Sequence, residues 1–417
     1  MTFLKITFWT SFALVFYAYL GYGIILLMVQ KLKKLLGRDR QETSDKSLKF
    51  EPEVTLLIAA YNEKAHVPEK IRNSLSLDYP RDKLNIMFVT DGSDDGSVEM
   101  LQQYESITVL HEPQRRGKIS AINRAMQHVK TPIVIFTDAN TNLNTTAIRE
   151  IVYHYQDPSV GGVSGEKRID PVSQHSVSGA GEGLYWRYES FLKRLDSNLY
   201  TVVGAAGELF SIRTRLFERV EPDTILDDFI ISLRIAKQGY RVIYEPNACA
   251  LESPSFSLKD EMTRKVRICA GGIQSIIRLG DLLNPFRYRM LTIQYVSHRV
   301  LRWTLAPLAL VLMLIVNADL AVREGGIYTL VMAGQLMFYS FASLGWHLAN
   351  RKIRIKLFTT PMYFGMMNVA AYIGFVRYLR GKQSVLWEKA NRADAITQEP
   401  EELSAMIVRK EERVEQC

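Results

Sequence analysis

The sequence predicts an α/β domain with a mostly parallel sheet, flanked by apolar helices of membrane-spanning length. Three observations carry that expectation. Residues 52–250 alternate short apolar runs with helical patterns, the signature of strand–helix–strand units and a parallel sheet. Residues 6–29 contain no charged side chain and are long enough to cross a hydrocarbon core. Two further apolar stretches, 304–322 and 327–349, are joined by a short turn at Glu324-Gly325-Gly326.

Taken in order, residues 1–30 read as an N-terminal transmembrane helix. Lys31, Lys33, Lys34, Arg38 and Arg40 follow. The positive-inside bias then puts the N-terminus outside and the next domain in the cytosol. Lys5 alone precedes the apolar run and no small-residue cleavage site follows it, which argues against a signal peptide. Residues 31–51 are a basic and polar linker, and residues 52–254 form the cytosolic domain. Its strands are expected at 54–59, 85–90, 107–110 and 132–137, with helices at 64–77, 97–104 and 118–129. Residues 255–303 are basic with interspersed apolar positions such as Met262, Val266 and Ile273. They read as amphipathic helices on the membrane surface, in contact with its lipids. Two spans occupy 304–349, and Gln335 inside the second is tolerable where it faces protein. The stretch 357–379 contains Pro361 and has basic residues on both flanks. It reads as a re-entrant or interfacial segment, with a third C-terminal span as the alternative. Residues 380–417 are a charged cytosolic tail.

The formal net charge is +8 over 417 residues, and the basic residues cluster beside apolar runs. That suits the cytosolic face of a cell membrane. No zinc spacing or basic recognition helix is present, so nucleic acid is not an expected partner. Cys249, Cys269 and Cys417 are scattered and odd in number. They predict neither a disulfide framework nor a metal cluster, and they fit a reducing compartment.

Polar residues gather where the strands end. Asn62 and Glu63 follow the first strand, Asp91 the second and Asp138 a later one. Parallel sheets bind ligands beyond the carboxyl ends of their strands. Further on, Asp227 and Asp228 open a run in which Leu226, Phe229, Ile230 and Leu233 recur at helical spacing. The pair therefore sits at a helix N-terminus, which favours negative charge. Alone, it reads as an ordinary acidic first turn, and Asp91-Gly92-Ser93 alone as a strand-exit turn. With Asp138 and Lys118, they describe a site that holds a diphosphate and a metal and presents a base to a hydroxyl. A dinucleotide fold would need G-x-G-x-x-G after the first strand; Ala60-Tyr61-Asn62-Glu63 stands there instead.

Seven motifs in order carry a resemblance: Ala60-Tyr61-Asn62-Glu63, Asp91-Gly92-Ser93, Arg116-Gly117-Lys118, Asp138-Ala139-Asn140, Gly204 to Glu208, Asp227-Asp228 and Arg264-x-x-Arg267. Together they resemble the membrane-embedded family 2 glycosyltransferases, which have a Rossmann-like GT-A catalytic domain. That family includes the hyaluronan, chitin, cellulose and poly-N-acetylglucosamine synthases. The resemblance covers residues 52–270 and extends loosely through the C-terminal membrane part. It implies that Tyr61, Glu63 and Asp91 contact the nucleoside and that Lys118 meets the diphosphate. Asp138 would bind Mg²⁺ or Mn²⁺, with Asn140 as a second oxygen ligand or a support. Asp228 would be the catalytic base beside Asp227. Gly207 and Glu208 would lie on the acceptor side, and Arg264 and Arg267 would bind the leaving nucleotide. Trp387, with Arg392, would form a gating segment over the acceptor. Read without the family, Arg264 and Arg267 equally face lipid phosphates, Glu208 is a surface carboxylate, and Trp387 is an interfacial anchor.

The chemistry agrees with these roles. Breaking a sugar–phosphate bond leaves extra negative charge on a nucleoside diphosphate, which a metal and fixed cations stabilise. The acceptor hydroxyl loses its proton as it attacks, so a carboxylate within reach acts as general base. Asp227 raises the proton affinity of Asp228 by like-charge repulsion. One base and one displacement invert the anomeric centre. Two departures from the family pattern matter. Asn140 stands where the usual metal motif has a second Asp, and Ile268 where polymer synthases carry an acceptor-stacking Trp.

The expected activity is transfer of a sugar, UDP-linked in the first instance, to a glycan or lipid-linked acceptor in exopolysaccharide or cell-envelope glycan synthesis. The alternative is a processive synthase with coupled export. Its thin membrane part would then require a homodimer or a partner subunit. A catalytically inactive membrane scaffold is the alternative of another class, and retention of Asp91, Lys118, Asp138 and Asp228 argues against it.

Overall fold

The computed structural model describes residues 1–36, 50–169, 177–253, 257–351, 353, 355–384 and 386. The chain divides into two compact units. One comprises Arg40–Ser173, Trp186–Pro254 and Ser384–Cys417; the other comprises Met1–Asp39, Gln174–Tyr185 and Ser255–Gln383.

The first unit is built on an eight-stranded sheet. Its strands are β1 (Val54–Ala60), β2 (Leu84–Asp91), β3 (Ile107–Glu112), β4 (Ile133–Asp138), β5 (Thr141–Leu143), β6 (Val160–Ile169), β7 (Leu209–Arg213) and β8 (Arg241–Glu252). Their spatial order is β3-β2-β1-β4-β7-β6-β8-β5. β1, β2 and β4 are nearly continuous apolar runs, as strands covered on both faces require. Leu56, Ile58, Phe88 and Ile135 are wholly buried at the sheet centre. β1 pairs in parallel with β2 and β4, and β2 with β3. The register sets Asp138 beside Ala59 and Thr90 beside Ala60, so the polar strand ends share one edge.

The chain then departs from the parallel pattern. β4 pairs antiparallel with β7, matching Thr137 to Leu209. β6 pairs antiparallel with β7, and β5 with β8, while β6 and β8 are parallel. Four of the seven pairings are parallel. The antiparallel step is what matters for the site. It brings the N-terminal end of β7, and with it Gly207 and Glu208, beside the C-terminal end of β4.

The second unit is helical. Thr2–Leu35, Leu305–Arg323 and Ile327–Asn350 are, among the described residues, the three helices long and apolar enough to cross a membrane. Phe3, Met28, Ile315 and Leu330 are exposed on them. Gln335 is buried in protein, where its Oε1 accepts from Asn317 Nδ2 at 2.8 Å. Leu258–Arg278 is a 21-residue helix. Lys356–Leu379 is one continuous helix through Pro361. Its Ala370 and Ala371 pack on Val266 and Cys269. Gly374 permits that approach, since a Cβ there would lie 2.7 Å from the Cβ of Cys269.

Ile135 is fully buried between β1 and β7. Ile135→Ala is expected to destabilise the protein by about 2–5 kcal/mol, since a buried side chain is removed where the sheet cannot collapse to fill the gap. The check is the denaturant midpoint of the full chain in detergent; an unchanged midpoint contradicts the placement.

Candidate active site

Two strand-exit loops are tied together at the carboxyl edge of β1 and β2. Asn62 adopts a left-handed backbone (φ 51°), a conformation that Asn tolerates better than most residues. Its side chain exchanges hydrogen bonds with Asp94, donating to Oδ1 at 2.9 Å and accepting from the Asp94 amide at 3.0 Å. The Lys64 amide donates to Asp95 Oδ2 at 2.9 Å. Asp91 reaches across to the next loop. Its Oδ1 accepts from the Arg116 amide at 2.8 Å and its Oδ2 from the Gly117 amide at 2.7 Å. These amides lie just ahead of the Lys118–Met126 helix, where donors are otherwise unsatisfied. Gly92 (φ 70°) is required beside them, because a Cβ would lie 2.8 Å from the Arg115 amide nitrogen.

The Arg115 guanidinium lies 3.7 Å over the Tyr61 ring, a cation–π contact. Tyr61, Asp91, Arg115, Gly117 and Lys118 line a cleft of about 320 Å³. Glu63 is buried, with its Oε2 3.8 Å from His66 Nε2.

Lys118 then joins three elements. Its Nζ donates to Asp138 Oδ1 at 2.7 Å and lies 3.7 Å from Asp227 Oδ2. Asp138 ends β4, and Asp227 and Asp228 open the Asp227–Lys237 helix. Ser232, one turn later, donates to the Asp228 carbonyl at 2.7 Å and accepts from the Ala205 amide at 3.0 Å. That bond fixes the acidic turn against the segment leading to Gly207. A Cβ on Gly207 would lie 3.2 Å from Asp228 Oδ2, so glycine leaves space beside this partly buried carboxylate. Glu208 is held by the fully buried Lys167, which also pairs with Glu252.

Burial governs the charges. It pushes Asp228 up to about 7, with Asp227 and Glu208 adding to the rise and Lys118 opposing it. Burial likewise raises Asp138 against the pull of Lys118. Burial disfavours the Lys118 ammonium, but Asp138 and Asp227 outweigh it and raise its proton affinity.

The donor set suits a hard divalent metal. Asn140 Oδ1 and Asp227 Oδ2 are buried without a hydrogen-bond partner, and Asp138 adds a carboxylate paired with Lys118. Among the described residues no three His, Cys, Asp or Glu side chains cluster as a metal site. The donors at hand are all oxygens. They fit a cation held by one or two carboxylates and completed by substrate phosphates.

The structure brings Tyr61, Asp91, Lys118, Asp138, Asn140, Gly207, Glu208, Asp227 and Asp228 to one edge of the sheet unit. It places Arg264 and Arg267 in the helical unit, on Leu258–Arg278. There Arg264 is engaged by the buried carboxylates of Glu182 and Glu261. Trp387 and Arg392 lie outside the described residues. Two residues of the site, Arg115 and Lys167, are not marked by the seven motifs. Arg115 adjoins Arg116-Gly117-Lys118, and Lys167 occupies a buried position of β6; a lysine inside a strand is the signal that points to it.

Residues 55–220 match the family described as Glycosyl transferase family 2. That match runs from β1 through β7 and takes in Asp91, Lys118, Asp138, Gly207 and Glu208. The chain is 26% identical over 237 residues to the poly-beta-1,6-N-acetyl-D-glucosamine synthase of Staphylococcus aureus (strain COL), covering 54% of this chain and 56% of that protein. The enzyme of the same name from Staphylococcus epidermidis is 24% identical over 233 residues, with the same coverage. The chain thus spans little more than half the length of these relatives. A mannosyltransferase from Pyrobaculum calidifontis, solved in complex with GDP-Man and Mn²⁺, superposes with a TM-score of 0.68 at 24% identity, over 91% of this chain and 99% of that one. That likeness is one of fold: the sheet unit has the GT-A architecture.

The raised Asp228 has a consequence for stability. An acid whose proton affinity is higher folded than unfolded makes the native state the stronger proton binder, so stability falls as pH rises from about 4 through about 7. Asp228→Asn removes that penalty. Its melting temperature is expected to exceed the wild type's by a few degrees at pH about 8 and to match it at the acid end; equal temperatures at both ends refute the assignment.

Proposed function

We propose that the protein is an inverting glycosyltransferase of the cell membrane, using a nucleotide-diphosphate sugar as donor and a glycan or lipid-linked hydroxyl as acceptor. The observation that carries this reading is Lys118 held between Asp138 and Asp227, with Asp228 in the same helical turn beside Gly207. A cation and a metal-fitting oxygen set stand beside a carboxylate whose proton affinity is matched to neutral pH, as general-base catalysis requires.

Each part then has a task. The cleft between Tyr61 and Asp91 takes the nucleoside, with Arg115 on the tyrosine face. Asp91 shapes the loop ahead of the Lys118–Met126 helix, whose N-terminal end favours phosphate. Asp138 and Asn140 would hold Mg²⁺ or Mn²⁺, which neutralises charge on the leaving diphosphate when bound. Lys118 supplies a fixed cation to the same charge. Asp228 accepts the proton of the attacking hydroxyl, and Glu208, held by Lys167, borders the acceptor. Asp227 keeps that proton affinity high. Attack on the face opposite the departing diphosphate inverts the anomeric carbon.

The relatives named as poly-beta-1,6-N-acetyl-D-glucosamine synthases favour a UDP-linked N-acetylhexosamine donor and a role in exopolysaccharide synthesis. They also support the second reading, processive extension with export. The three apolar helices support a multi-pass placement, and the basic residues after the first support a cytosolic catalytic domain.

The test is metal-dependent release of nucleoside diphosphate by the full chain in lipid, across UDP- and GDP-sugars with membrane lipid extract as acceptor. Asp228→Asn is expected to lower turnover by about 10²–10⁴-fold. Release that survives this change overturns the choice of base. In wild type, kcat/KM is expected to fall on the acid side with an apparent pKa near the value of about 7 that burial and Asp227 impose on Asp228. A profile flat across that range removes Asp228 from the reaction.

A further inference from the structure

The Val67–Leu75 helix carries a lysine on its inward face. Val67, Lys70, Ile71 and Ser74 are its buried residues, and Lys70 is only 1% exposed. Its bonding is unusual for a buried ammonium. Nζ donates to the Thr141 carbonyl at 2.8 Å, to Thr137 Oγ1 at 3.1 Å and, more weakly, to Thr141 Oγ1 at 3.5 Å. All three acceptors are neutral oxygens. A buried charge is costly unless paired, and Val67 and Ile71 flank the position on the buried face of its own helix. Burial pulls Lys70 down to about 7, with Asp138 and Glu69 holding it up.

The two threonines explain what the lysine joins. Thr137 Oγ1 donates to the Glu208 carbonyl at 2.9 Å, and Thr141 Oγ1 donates to the Asp138 carbonyl at 2.9 Å. The two hydroxyls also lie 3.0 Å apart, and because an ammonium can only donate, both offer lone pairs to Lys70. A donor is needed there, and an apolar side chain would leave these groups unmatched. Residues 137–141 hold Asp138 and Asn140, and the Glu208 carbonyl belongs to the segment that starts β7. Lys70 is therefore the node between the end of β4, the turn after it, and the acceptor-side segment. The same helix reaches the next residues too. Asn73 exchanges hydrogen bonds with Leu143, at 2.8 and 2.9 Å, and Glu69 accepts from Asn142.

We propose that Lys70 is a positioning residue for sugar transfer: through Thr137 and Thr141 it holds the turn 138–141 in the form that binds the divalent metal and aligns it with the Gly207-Glu208 segment. The proposal rests on the reading of Asp138 as a metal ligand. Lys70 touches neither substrate nor metal, and acts by fixing the backbone that presents Asp138 and Asn140. Outer-shell partners of this kind orient the groups that contact the ion.

The experiment uses the full-length protein in lipid and four variants. Mn²⁺ binding is measured by calorimetry with UDP present, alongside the melting temperature and steady-state kinetics. Lys70→Met keeps the length and apolar stem and deletes the donors. It is expected to weaken Mn²⁺ by about 10–100-fold and to lower kcat, while the melting temperature stays level or rises as the buried charge is lost. Asn73→Ala, on the same helix, is expected to lower the melting temperature and leave Mn²⁺ affinity unchanged. Lys70→Gln keeps two donors on a shorter stem and is expected to show an intermediate loss; it takes the place of Lys70→Met where that variant does not fold. Wild-type Mn²⁺ affinity in Lys70→Met overturns the proposal. So does a loss that merely tracks the melting temperature and is reproduced by Asn73→Ala. Asp138→Asn separates the two readings. If it binds Mn²⁺ as wild type does, the metal assignment itself fails; if it loses Mn²⁺ while Lys70→Met does not, only the role of Lys70 fails.

Discussion

One partly buried ammonium organises the site. Lys118 stands between Asp138 and Asp227, with Asp228 adjoining. Carboxylates drawn from two distant chain segments repel one another strongly once water is removed. A cation in their midst is what lets β4 and the Asp227–Lys237 helix deliver them to one place. The balance is incomplete by construction. Three carboxylates share one lysine, so Asp228 retains a proton affinity far above an ordinary aspartate. That surplus of negative potential suits both a divalent cation and a base poised near neutrality.

The sheet's topology supplies the second half of the geometry. A purely parallel sheet would carry all its carboxyl ends to one edge and leave the opposite ends remote. Here β7 runs antiparallel beside β4. The start of one strand meets the end of the other, and donor-side and acceptor-side residues become neighbours without long side chains. Thr137 and Glu208, 71 positions apart in sequence, are joined by a single hydrogen bond. Lys70 and Lys167 then serve this junction from within the protein, one through neutral oxygens and the other through two carboxylates.

The helical unit has its own buried ionic network. Glu182 and Glu261 are fully buried and share Arg264. Tyr363 donates to Glu261 at 2.6 Å, and Lys265 lies 3.9 Å from the centre of the Tyr185 ring. Such a network persists in an apolar setting because each carboxylate meets a charged or hydroxyl donor. Arg264 is occupied by these contacts, which gives it a structural task within the unit that its sequence motif alone did not reveal.

Much of the fold is legible along the chain. Apolar runs long enough for spans, the alternating pattern of 52–138 and polar residues at strand ends are local properties, and local properties survive in sequence. The first four strands and the positions of Asp91, Lys118 and Asp138 therefore follow from pattern alone, with ends shifted by a residue or two. β6, β7 and β8 do not, because partners far apart in sequence, parallel or antiparallel, leave no mark on a strand's own periodicity. Arg115 over Tyr61, Ser232 on the acidic turn and the Lys70 node share that character: each depends on a side chain meeting a group from another element. The sequence by itself determined which groups are present and that they lie on strand ends and helix starts. The tertiary structure decided which of them meet, and burial, which exists only once the sheet and its helices have closed around them, decided their charge.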